Sequence, residues 1–417
     1  MLKLPTSLLR SRSPHLAQTL ALALTHRRLM SVLPERMRAG GVWFRPDKRR
    51  PDYFLPFNVF EGNGEIYGVV FGDGDGDGEW DRLRVVRKVG WANGSTVWLC
   101  VVNENEKEDR TRHNLCQKYV ALKIETAFNY YLPSGESTCF EAVTKNNGTR
   151  GARFCLPLLA KRTLSSVHGD HRCFVTPVTG PDLGALAEDR QLTYSLCVVR
   201  RIVQQVLLAL EHLHSCGFVH CDVKCDNVVV RLPDETYEEI IDTYLETSRP
   251  ESYRPVMAPA LSREPYTTLK SQPIAPVWLR ADLSNLDVQL IDYGEARPLE
   301  ALSDMSPELQ LDMLRPPEIT LGCMPSEKID IWSVGLMVTD DVLLWGCGLK
   351  KGFGFQAVHI FTSHHAFVES SEKARLYRMI EYFGPFPESF LARCPRREEL
   401  LNADGTDKSP PLSLSHT

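Results

Sequence analysis

The sequence predicts an α+β protein with two lobes, because a β-rich region precedes a helix-rich one. Between Leu83 and Ile124 the chain contains β-branched runs of alternating polarity, which are typical of strands. After Gly180 the apolar spacing changes to three and four residues, which indicates helices. The clearest helix covers Ser195–His214, and Gly217 follows where helices commonly end. Blocks of strands followed by blocks of helices favour the α+β class.

The predicted elements follow in chain order. The strands are Leu83–Val89, Thr96–Val102, Lys118–Ile124, Arg172–Val175 and Val228–Val230. The helix Ser195–His214 is amphipathic, with Arg, Gln and Glu on the face opposite its apolar stripe. That stripe consists of Val198, Val199, Ile202, Val203, Val206, Leu207, Leu210 and Leu213.

Composition excludes several classes of protein. The 417 residues are 43% hydrophobic and 24% charged, as in ordinary soluble globular proteins, and the length suggests two or three compact units. A net charge of -5 argues against wholesale coating of nucleic acid. No apolar run reaches the ~18 residues of a membrane helix. The twelve cysteines include no C-x-x-C pair, so neither a zinc ribbon nor a thioredoxin-type site is indicated.

The N-terminal region has a different character. Residues 1–34 contain no acidic residue and are rich in Arg, Ser and Leu, which is the composition of a mitochondrial presequence. A disordered basic leader and an error in the gene model are the alternatives. The Gly/Pro-rich region that follows ends in Gly72–Gly78, where Asp and Gly alternate. We interpret this run as a flexible acidic loop, because Arg84 occupies the position where a calcium loop needs a bidentate Glu.

Two features of the β-rich region could bind phosphate groups. Small residues in Val89–Val97 form a turn between two predicted strands, where backbone N–H groups can approach a phosphate closely. A purely structural hairpin is the alternative. Lys123 ends the next strand, at Val120-Ala121-Leu122-Lys123, and can neutralise nucleotide phosphates.

The run His220–Asn227 has the spacing that phosphoryl transfer requires. Asp222 can accept the proton of an attacking hydroxyl, and Lys224 can balance charge on the transferred group. Asn227, five residues after Asp222, can bind Mg²⁺ from the same loop. Further along, the apolar strand Val288–Ile291 leads to Asp292, which can chelate the Mg²⁺ that bridges nucleotide phosphates.

These motifs occur in the order that is found in the eukaryotic protein kinases, which the chain resembles over roughly residues 80–395. It resembles most the SR-protein-kinase-like group found in fungi. The likeness rests on Gly94–Leu99, His220–Asn227, Asp292–Ala296 and an insert of about 56 residues, Arg231–Leu286. We interpret the insert as a surface loop, with a docking element as the alternative.

The resemblance implies a bilobal serine/threonine protein kinase that uses ATP and Mg²⁺, with Lys224 marking Ser/Thr specificity. It implies Asp222, Lys224 and Lys123 as catalytic residues and Asn227 and Asp292 as Mg²⁺ ligands. We choose Glu141 over Glu136 as the helix glutamate that orients Lys123. The expected nucleotide-binding residues are Val89, Gly90, Ala92, Gly94, Ser95, Val97, Ala121, Lys123 and Glu141.

The resemblance also sets expectations for organisation and partners. We expect a leader and flexible segment at 1–80 and the N-lobe at 81–178. The C-lobe is expected at 179–395, with its insert at 231–286, and a disordered tail at 396–417. Protein substrates, with Arg/Ser-rich sequences among the candidates, and a monomer are expected, with neither nucleic-acid binding nor a membrane. The family suggests the cytoplasm and nucleus, whereas the leader suggests mitochondria.

The chain departs from the family at several points. Ala92 replaces the second glycine of the phosphate loop, and Cys221 replaces the arginine that precedes the catalytic Asp. Arg315-Pro316-Pro317-Glu318 could close an activation segment. The arginine that usually pairs with Glu318 and the last helices of the C-lobe are expected to be missing, with truncation, a mis-spliced gene model and a divergent C-lobe as the alternatives. A pseudokinase that binds nucleotide without turnover, and a small-molecule kinase on the same fold, are the alternative functions.

Overall fold

The computed structural model describes nine stretches of the chain. They are residues 83–92, 95–102, 117–125, 134–166, 169–190, 194–254, 269–304, 315–339 and 372–402. The predicted leader, the acidic Gly72–Gly78 loop, Gly94 and the tail beyond residue 402 lie outside these stretches, so the predictions for them are untested. Within the described part of the chain, no helix is long and apolar enough to cross a membrane.

The chain forms two compact units, and the predicted fold class is confirmed. Unit 1 contains Met1–Pro133, Ala160–Val175 and Pro250–Gln272. Unit 2 contains Ser134–Leu159, Thr176–Arg249 and Pro273–Thr417.

Unit 1 is built on a five-stranded sheet with the order β1-β2-β3-β5-β4. Its strands are β1 Leu83–Ala92, β2 Ser95–Val102, β3 Tyr119–Glu125, β4 Ala160–Ser166 and β5 Gly169–Thr176. Trp98, Leu99 and Leu122 are at most 2% exposed and lie in its core. All four strands predicted for this region are present, because burial of alternate side chains is a strong local signal.

Two segments of the insert lie beside β1. Gln272 N donates to Lys88 O at 2.9 Å, and Lys88 Nζ donates to Leu269 O at 3.3 Å. The Lys88 side chain is only 1% exposed. Leu269 in turn forms an antiparallel bridge with Ser252. This part of the insert therefore belongs to unit 1 and packs against its sheet.

Unit 2 is mainly helical. Its helices are α1 Glu136–Lys145, α2 Leu183–Arg190, α3 Leu196–Ser215, α4 Tyr237–Thr247, α5 Pro317–Thr320, α6 Lys328–Thr339, α7 Glu372–Phe383, α8 Glu388–Leu391 and α9 Arg397–Leu400. The predicted helix is α3, which starts where the Ser195 side chain accepts a hydrogen bond from Val198 N. It ends before Gly217, whose φ of +82° suits glycine.

Short strands complete unit 2 and position the loops of interest. They are β6 Thr179–Asp182, β7 Phe218–Val219, β8 Val228–Arg231, β9 Val288–Leu290 and β10 Arg297–Pro298. Strands β6, β8 and β9 form one small antiparallel sheet, and β7 pairs with β10. The predicted catalytic loop lies between β7 and β8, and Asp292 follows β9 by two residues.

The interpretation of the insert as a surface loop is wrong for α4. This helix buries Tyr237, Ile240, Ile241 and Tyr244, and the Tyr237 hydroxyl accepts a hydrogen bond from Val178 N at 2.7 Å. Tyr237 precedes Ile240 by three residues, and Tyr244 follows Ile241 by three. This spacing gives the helix an apolar face that must pack against another element. The first part of the insert is therefore a packed element of unit 2.

Gly151 lies close to the backbone of α3. A Cβ atom added at Gly151 would lie 1.9 Å from Leu208 O, whereas one added at nearby Gly148 would meet nothing within 4 Å. We expect Gly151→Ala to lower the free energy of unfolding by about 1–3 kcal/mol, because the backbone must shift to relieve the clash. The matched control Gly148→Ala should leave it within about 0.5 kcal/mol. Denaturant unfolding of both variants measures this, and equal stability would contradict the close approach.

Candidate active site

The predicted phosphate-binding residues of unit 1 lie in register on three strands. Gly90 on β1 pairs with Val97 on β2, and Val97 pairs with Lys123 on β3. Leu99 and Ala121 form the pair two positions further along. Because side chains two apart on a strand share a face, Ala121 lies on the same face as Lys123. The strands therefore bring Val97, Ala121 and Lys123 together beside the turn between β1 and β2.

The catalytic loop of unit 2 orients Asp222 through one of its two carboxylate oxygens. Lys224 Nζ donates to Asp222 Oδ2 at 2.7 Å, and Asn227 Nδ2 donates to the same atom at 2.9 Å. Asn227 Nδ2 also donates to the Asp222 backbone carbonyl at 2.8 Å. The second carboxylate oxygen, Oδ1, accepts no hydrogen bond from the described residues. The loop thus presents a fixed carboxylate with one oxygen able to accept a proton.

Hydrogen bonds tie the catalytic loop to the segment that carries Asp292. Ile291 N donates to Asn227 O at 3.0 Å, and His220 Nε2 donates to Ile291 O at 3.0 Å. The other ring nitrogen, His220 Nδ1, accepts from Asp222 N at 3.3 Å. A neutral imidazole with its proton on Nε2 satisfies both contacts. His220 therefore joins Asp222 to the residue that precedes Asp292.

The pair Asn227 and Asp292 has the donor chemistry of a Mg²⁺ site that is completed by phosphates. Asn227 uses its amide nitrogen to bind Asp222, which leaves its side-chain oxygen as the atom that can ligate a cation. Among the described residues, no cluster of three or more His, Cys, Asp or Glu could hold a metal ion. Mg²⁺ is usually bound by one or two protein oxygens together with substrate phosphates and water.

The buried carboxylate of Asp330 binds backbone N–H groups of the catalytic loop. Asp330 is 0% exposed and accepts hydrogen bonds from His220 N at 2.8 Å and Cys221 N at 2.9 Å. His214 Nε2 lies 2.8 Å from Asp330 Oδ2 and donates to it. Cys221 has a φ of 66°, a left-handed backbone conformation that is unusual for a residue other than glycine. The Asp330 contact fixes the backbone in this conformation at the position just before Asp222.

The structure distinguishes the two candidate glutamates of α1. Glu136 is 1% exposed and lies on the same face as buried Cys139, Phe140 and Val143. A Cβ added at Gly294 would lie 3.9 Å from Glu136 Oε2 and 3.4 Å from Asp292 Oδ1, so both carboxylates flank this glycine.

Glu141 lies elsewhere on α1. Its side chain is 34% exposed and forms an i,i+4 ion pair with Lys145 at 3.9 Å. The choice of Glu141 as the helix glutamate stays a prediction, but the placement of Glu136 beside Asp292 favours Glu136.

Aromatic packing fixes the segment after Asp292. Tyr293 is 0% exposed, and its ring meets Phe140 of α1 edge-on with a centroid distance of 4.8 Å. The Tyr293 hydroxyl donates to Leu290 O at 3.2 Å. Burial raises the pKa of this hydroxyl far above its usual range, so it stays protonated as a donor. Tyr293 therefore packs the metal-binding segment against the helix that carries Glu136.

Cys221 lies in an apolar cluster where the family has an arginine. The cluster contains Val219, Cys221, Leu302, Ile319 and Ile329, all at most 5% exposed. Leu302 belongs to the segment between Asp292 and Glu318, and Ile319 belongs to α5. Hydrophobic contacts thus hold Leu302 and Ile319 against Cys221 of the catalytic loop.

Comparisons with known proteins agree with this geometry. The protein kinase domain family matches residues 163–243. The serine/threonine-protein kinase SRPK of Physarum polycephalum is 28% identical over 342 residues, which cover 78% of this chain and 72% of that protein. The serine/threonine protein kinase AFUB_078980 of Aspergillus fumigatus is 27% identical over 337 residues, with 79% and 72% covered. These matches support the protein kinase superfamily for this chain.

The fold supports the same assignment. The solved kinase domain PF14_0431 matches with a TM-score of 0.51 at 16% identity, covering 84% of this chain and 85% of that one. The predicted resemblance to SR-protein-kinase-like enzymes is confirmed, and the protein is a serine/threonine protein kinase. Protein kinases generally use ATP and Mg²⁺.

The spacing of three, four and seven residues from Glu136 to Cys139, Phe140 and Val143 places Glu136 on the apolar face of α1, a signal that the prediction of Glu141 does not use. Asp330 is a structural residue that none of the sequence motifs identifies. Its position between apolar residues of α6 was a usable signal, since an acid on a buried helix face needs hydrogen-bond donors.

The apolar surroundings of Cys221 lead us to expect activity without phosphorylation of the segment between Asp292 and Glu318. A phosphate there gains little when the arginine that would bind it is absent. We expect phosphatase treatment of the purified kinase to leave most of its phosphotransfer activity, measured before and after treatment. Mass spectrometry of the segment confirms that phosphate has been removed. Complete loss of activity together with loss of phosphate would contradict this expectation.

Proposed function

We propose that this kinase transfers the γ-phosphoryl group of Mg-ATP to serine or threonine in Arg/Ser-rich proteins. The β1–β2 turn and Lys123 of unit 1 would bind the nucleotide phosphates. Asp222, Lys224, Asn227 and Asp292 of unit 2 would carry the chemistry. When bound, Mg-ATP supplies the phosphoryl group and the cation that neutralises its charge.

The observation that carries the proposal is the set of contacts to Asp222. Both Lys224 and Asn227 donate to Oδ2, so the carboxylate cannot rotate freely and Oδ1 would be the proton acceptor. A substrate hydroxyl placed at Oδ1 would lose its proton to Asp222 as it attacks phosphorus. Lys224 at 2.7 Å keeps a positive charge next to the reacting groups. A positioned base with an adjacent cation is the arrangement that phosphoryl transfer to a hydroxyl requires.

Glu136 rather than Glu141 is the better candidate for the helix glutamate of this family. Glu136 lies on the buried face of α1, near Gly294 and therefore near Asp292. A buried carboxylate needs a cationic partner, and Lys123 would be that partner in the bound state. Glu141 already has a solvent-exposed partner in Lys145.

The proposed substrate class rests on sequence similarity to named kinases. The Physarum relative is named as an SRPK, and this group gives Arg/Ser-rich proteins as the first substrates to test.

Substitutions at Asp222 and Asp292 test the assignment of the chemistry. We expect Asp222→Ala to lower kcat by roughly 10²–10⁴-fold, because it removes the general base. Asp292→Asn should abolish transfer, because it removes a charged oxygen ligand that Mg²⁺ prefers. Transfer of labelled phosphate from ATP to an Arg/Ser-repeat peptide measures both effects.

Asp234→Asn is the matched control, since Asp234 is exposed and forms an ion pair with Arg231. Its activity should equal that of the wild-type kinase, and thermal unfolding should show that all three variants are folded. Retained transfer by Asp292→Asn would overturn the metal assignment. Nucleotide binding without any transfer by the wild-type protein would instead indicate a pseudokinase. Equal transfer to a peptide with Ala in place of Arg would contradict the substrate class.

The two α1 glutamates provide a second matched pair. We expect Glu136→Gln to reduce kcat/KM by at least about tenfold, because loss of one buried charged contact costs roughly 1.5–3 kcal/mol. Glu141→Gln should change kcat/KM by less than about twofold, since exposed i,i+4 pairs contribute little. The same peptide assay measures both variants. The opposite ranking would restore Glu141 as the helix glutamate.

A further inference from the structure

Two thiols from distant parts of the sequence meet in unit 2. Cys323 follows α5 and Cys394 follows α8, 71 positions later, and their Sγ atoms lie 2.6 Å apart. A disulfide has an S–S length of about 2.05 Å, so a covalent bond needs only a sub-ångström movement. Neither cysteine takes part in the catalytic loop or in the Asp292 segment.

Backbone contacts hold the two segments together on both sides of the sulfur atoms. Cys323 N donates to Glu318 O at 2.7 Å, which fixes the turn after α5. Arg396 N donates to Leu321 O at 3.1 Å, and Arg396 Nη1 donates to Thr320 O at 2.9 Å. The Arg396 guanidinium is itself held by ion pairs with Glu372 and Glu399. Backbone hydrogen bonds and the Arg396 side chain therefore hold the two cysteine-bearing segments next to each other.

The environments of the two thiols differ. Cys394 is 6% exposed, and it is packed with Leu321, Leu376 and Leu391 in an apolar cluster. Burial raises the pKa of its thiol to about 12, so it does not react first with a polar oxidant. Cys323 is half-buried at the edge of that cluster. An oxidant from solvent therefore meets Cys323 first.

We propose that Cys323 and Cys394 form a reversible disulfide when the kinase meets a peroxide. The Cys323 sulfur attacks one oxygen of hydrogen peroxide, the O–O bond breaks, and a sulfenic acid and one water form. The Cys394 sulfur then attacks the Cys323 sulfur and releases the sulfenic oxygen as a second water, which carries the Cys394 thiol proton. Two thiols lose two electrons to one peroxide, and a dithiol reductant reverses the change.

The disulfide would join the segment that follows Arg315–Glu318 to the apolar cluster around α7–α9. The segment is now held by hydrogen bonds and by packing of Leu321, which is 0% exposed. A covalent link across 71 positions restricts the unfolded chain more than a short loop does. The oxidised kinase should therefore resist thermal unfolding better than the reduced kinase.

Peptide mapping of the full-length kinase tests the proposal directly. The protein is treated with hydrogen peroxide at low protein concentration, and the remaining thiols are then alkylated. Digestion without reductant should yield the Cys323 peptide linked to the Cys394 peptide, and treatment with dithiothreitol should separate them. Non-reducing electrophoresis should show a monomer. The midpoint of thermal unfolding should rise by at least about 3 °C in the oxidised protein.

Three serine variants complete the test. Cys323→Ser and Cys394→Ser should each abolish the linked peptide and the thermal shift, whereas Cys197→Ser, at an exposed position of α3, should retain both. Sulfenic acid on Cys323 that persists without a link to Cys394 would overturn the proposal, as would a linked peptide that pairs either cysteine with another residue. The wild-type map decides the outcome even if one serine variant does not fold.

Discussion

The catalytic loop depends on one buried carboxylate. Asp330 has no access to solvent and accepts hydrogen bonds from two consecutive backbone N–H groups of the loop and from His214. A buried charge of this kind is tolerated only when its oxygens are fully used. The two amides can reach the same carboxylate because Cys221 takes a left-handed conformation, which costs about 1–2 kcal/mol. Charge-assisted hydrogen bonds of roughly 1.5–3 kcal/mol each offset that cost.

From this anchor the geometry continues residue by residue to the chemical groups. The backbone N–H of His220 donates to Asp330. One ring nitrogen of His220 accepts from Asp222 N, and the other donates to Ile291 O. Asn227 then bonds to Asp222 with its side chain and to Ile291 with its backbone carbonyl. Asp222 and Asn227 are thus parts of one hydrogen-bonded assembly within unit 2, and this assembly also holds Ile291, which precedes Asp292. A change in any member would be transmitted through short, direct contacts.

The sequence predicted the elements whose signals are local, and it failed where the signal was tertiary. Strands β1, β2, β3 and β5 follow from alternation, and helix α3 follows from an amphipathic stripe that Ser195 and Gly217 terminate. Strand β4 was not predicted. The roles of Asp222, Asn227 and Asp292 stay predictions that rest on the fixed spacing those roles require. The first turn of α1 was harder to recognise, since no side chain caps it and Gly135 precedes Glu136. The meeting of Cys323 with Cys394 could not be predicted, because their separation in sequence carries no information about contact.

The cluster around Cys221 shows how a kinase can keep its loop geometry without the usual arginine. The left-handed backbone at this position is imposed by Asp330 through the amide group, and the side chain plays no part in that contact. A small thiol at this position is therefore compatible with the loop geometry, and it packs in one apolar cluster with Leu302 and Ile319. Apolar packing is present whenever the protein is folded, whereas an arginine needs a phosphate to neutralise it. The arginine of the family makes a contact that depends on phosphorylation. Cys221 replaces it with apolar packing that does not depend on phosphorylation.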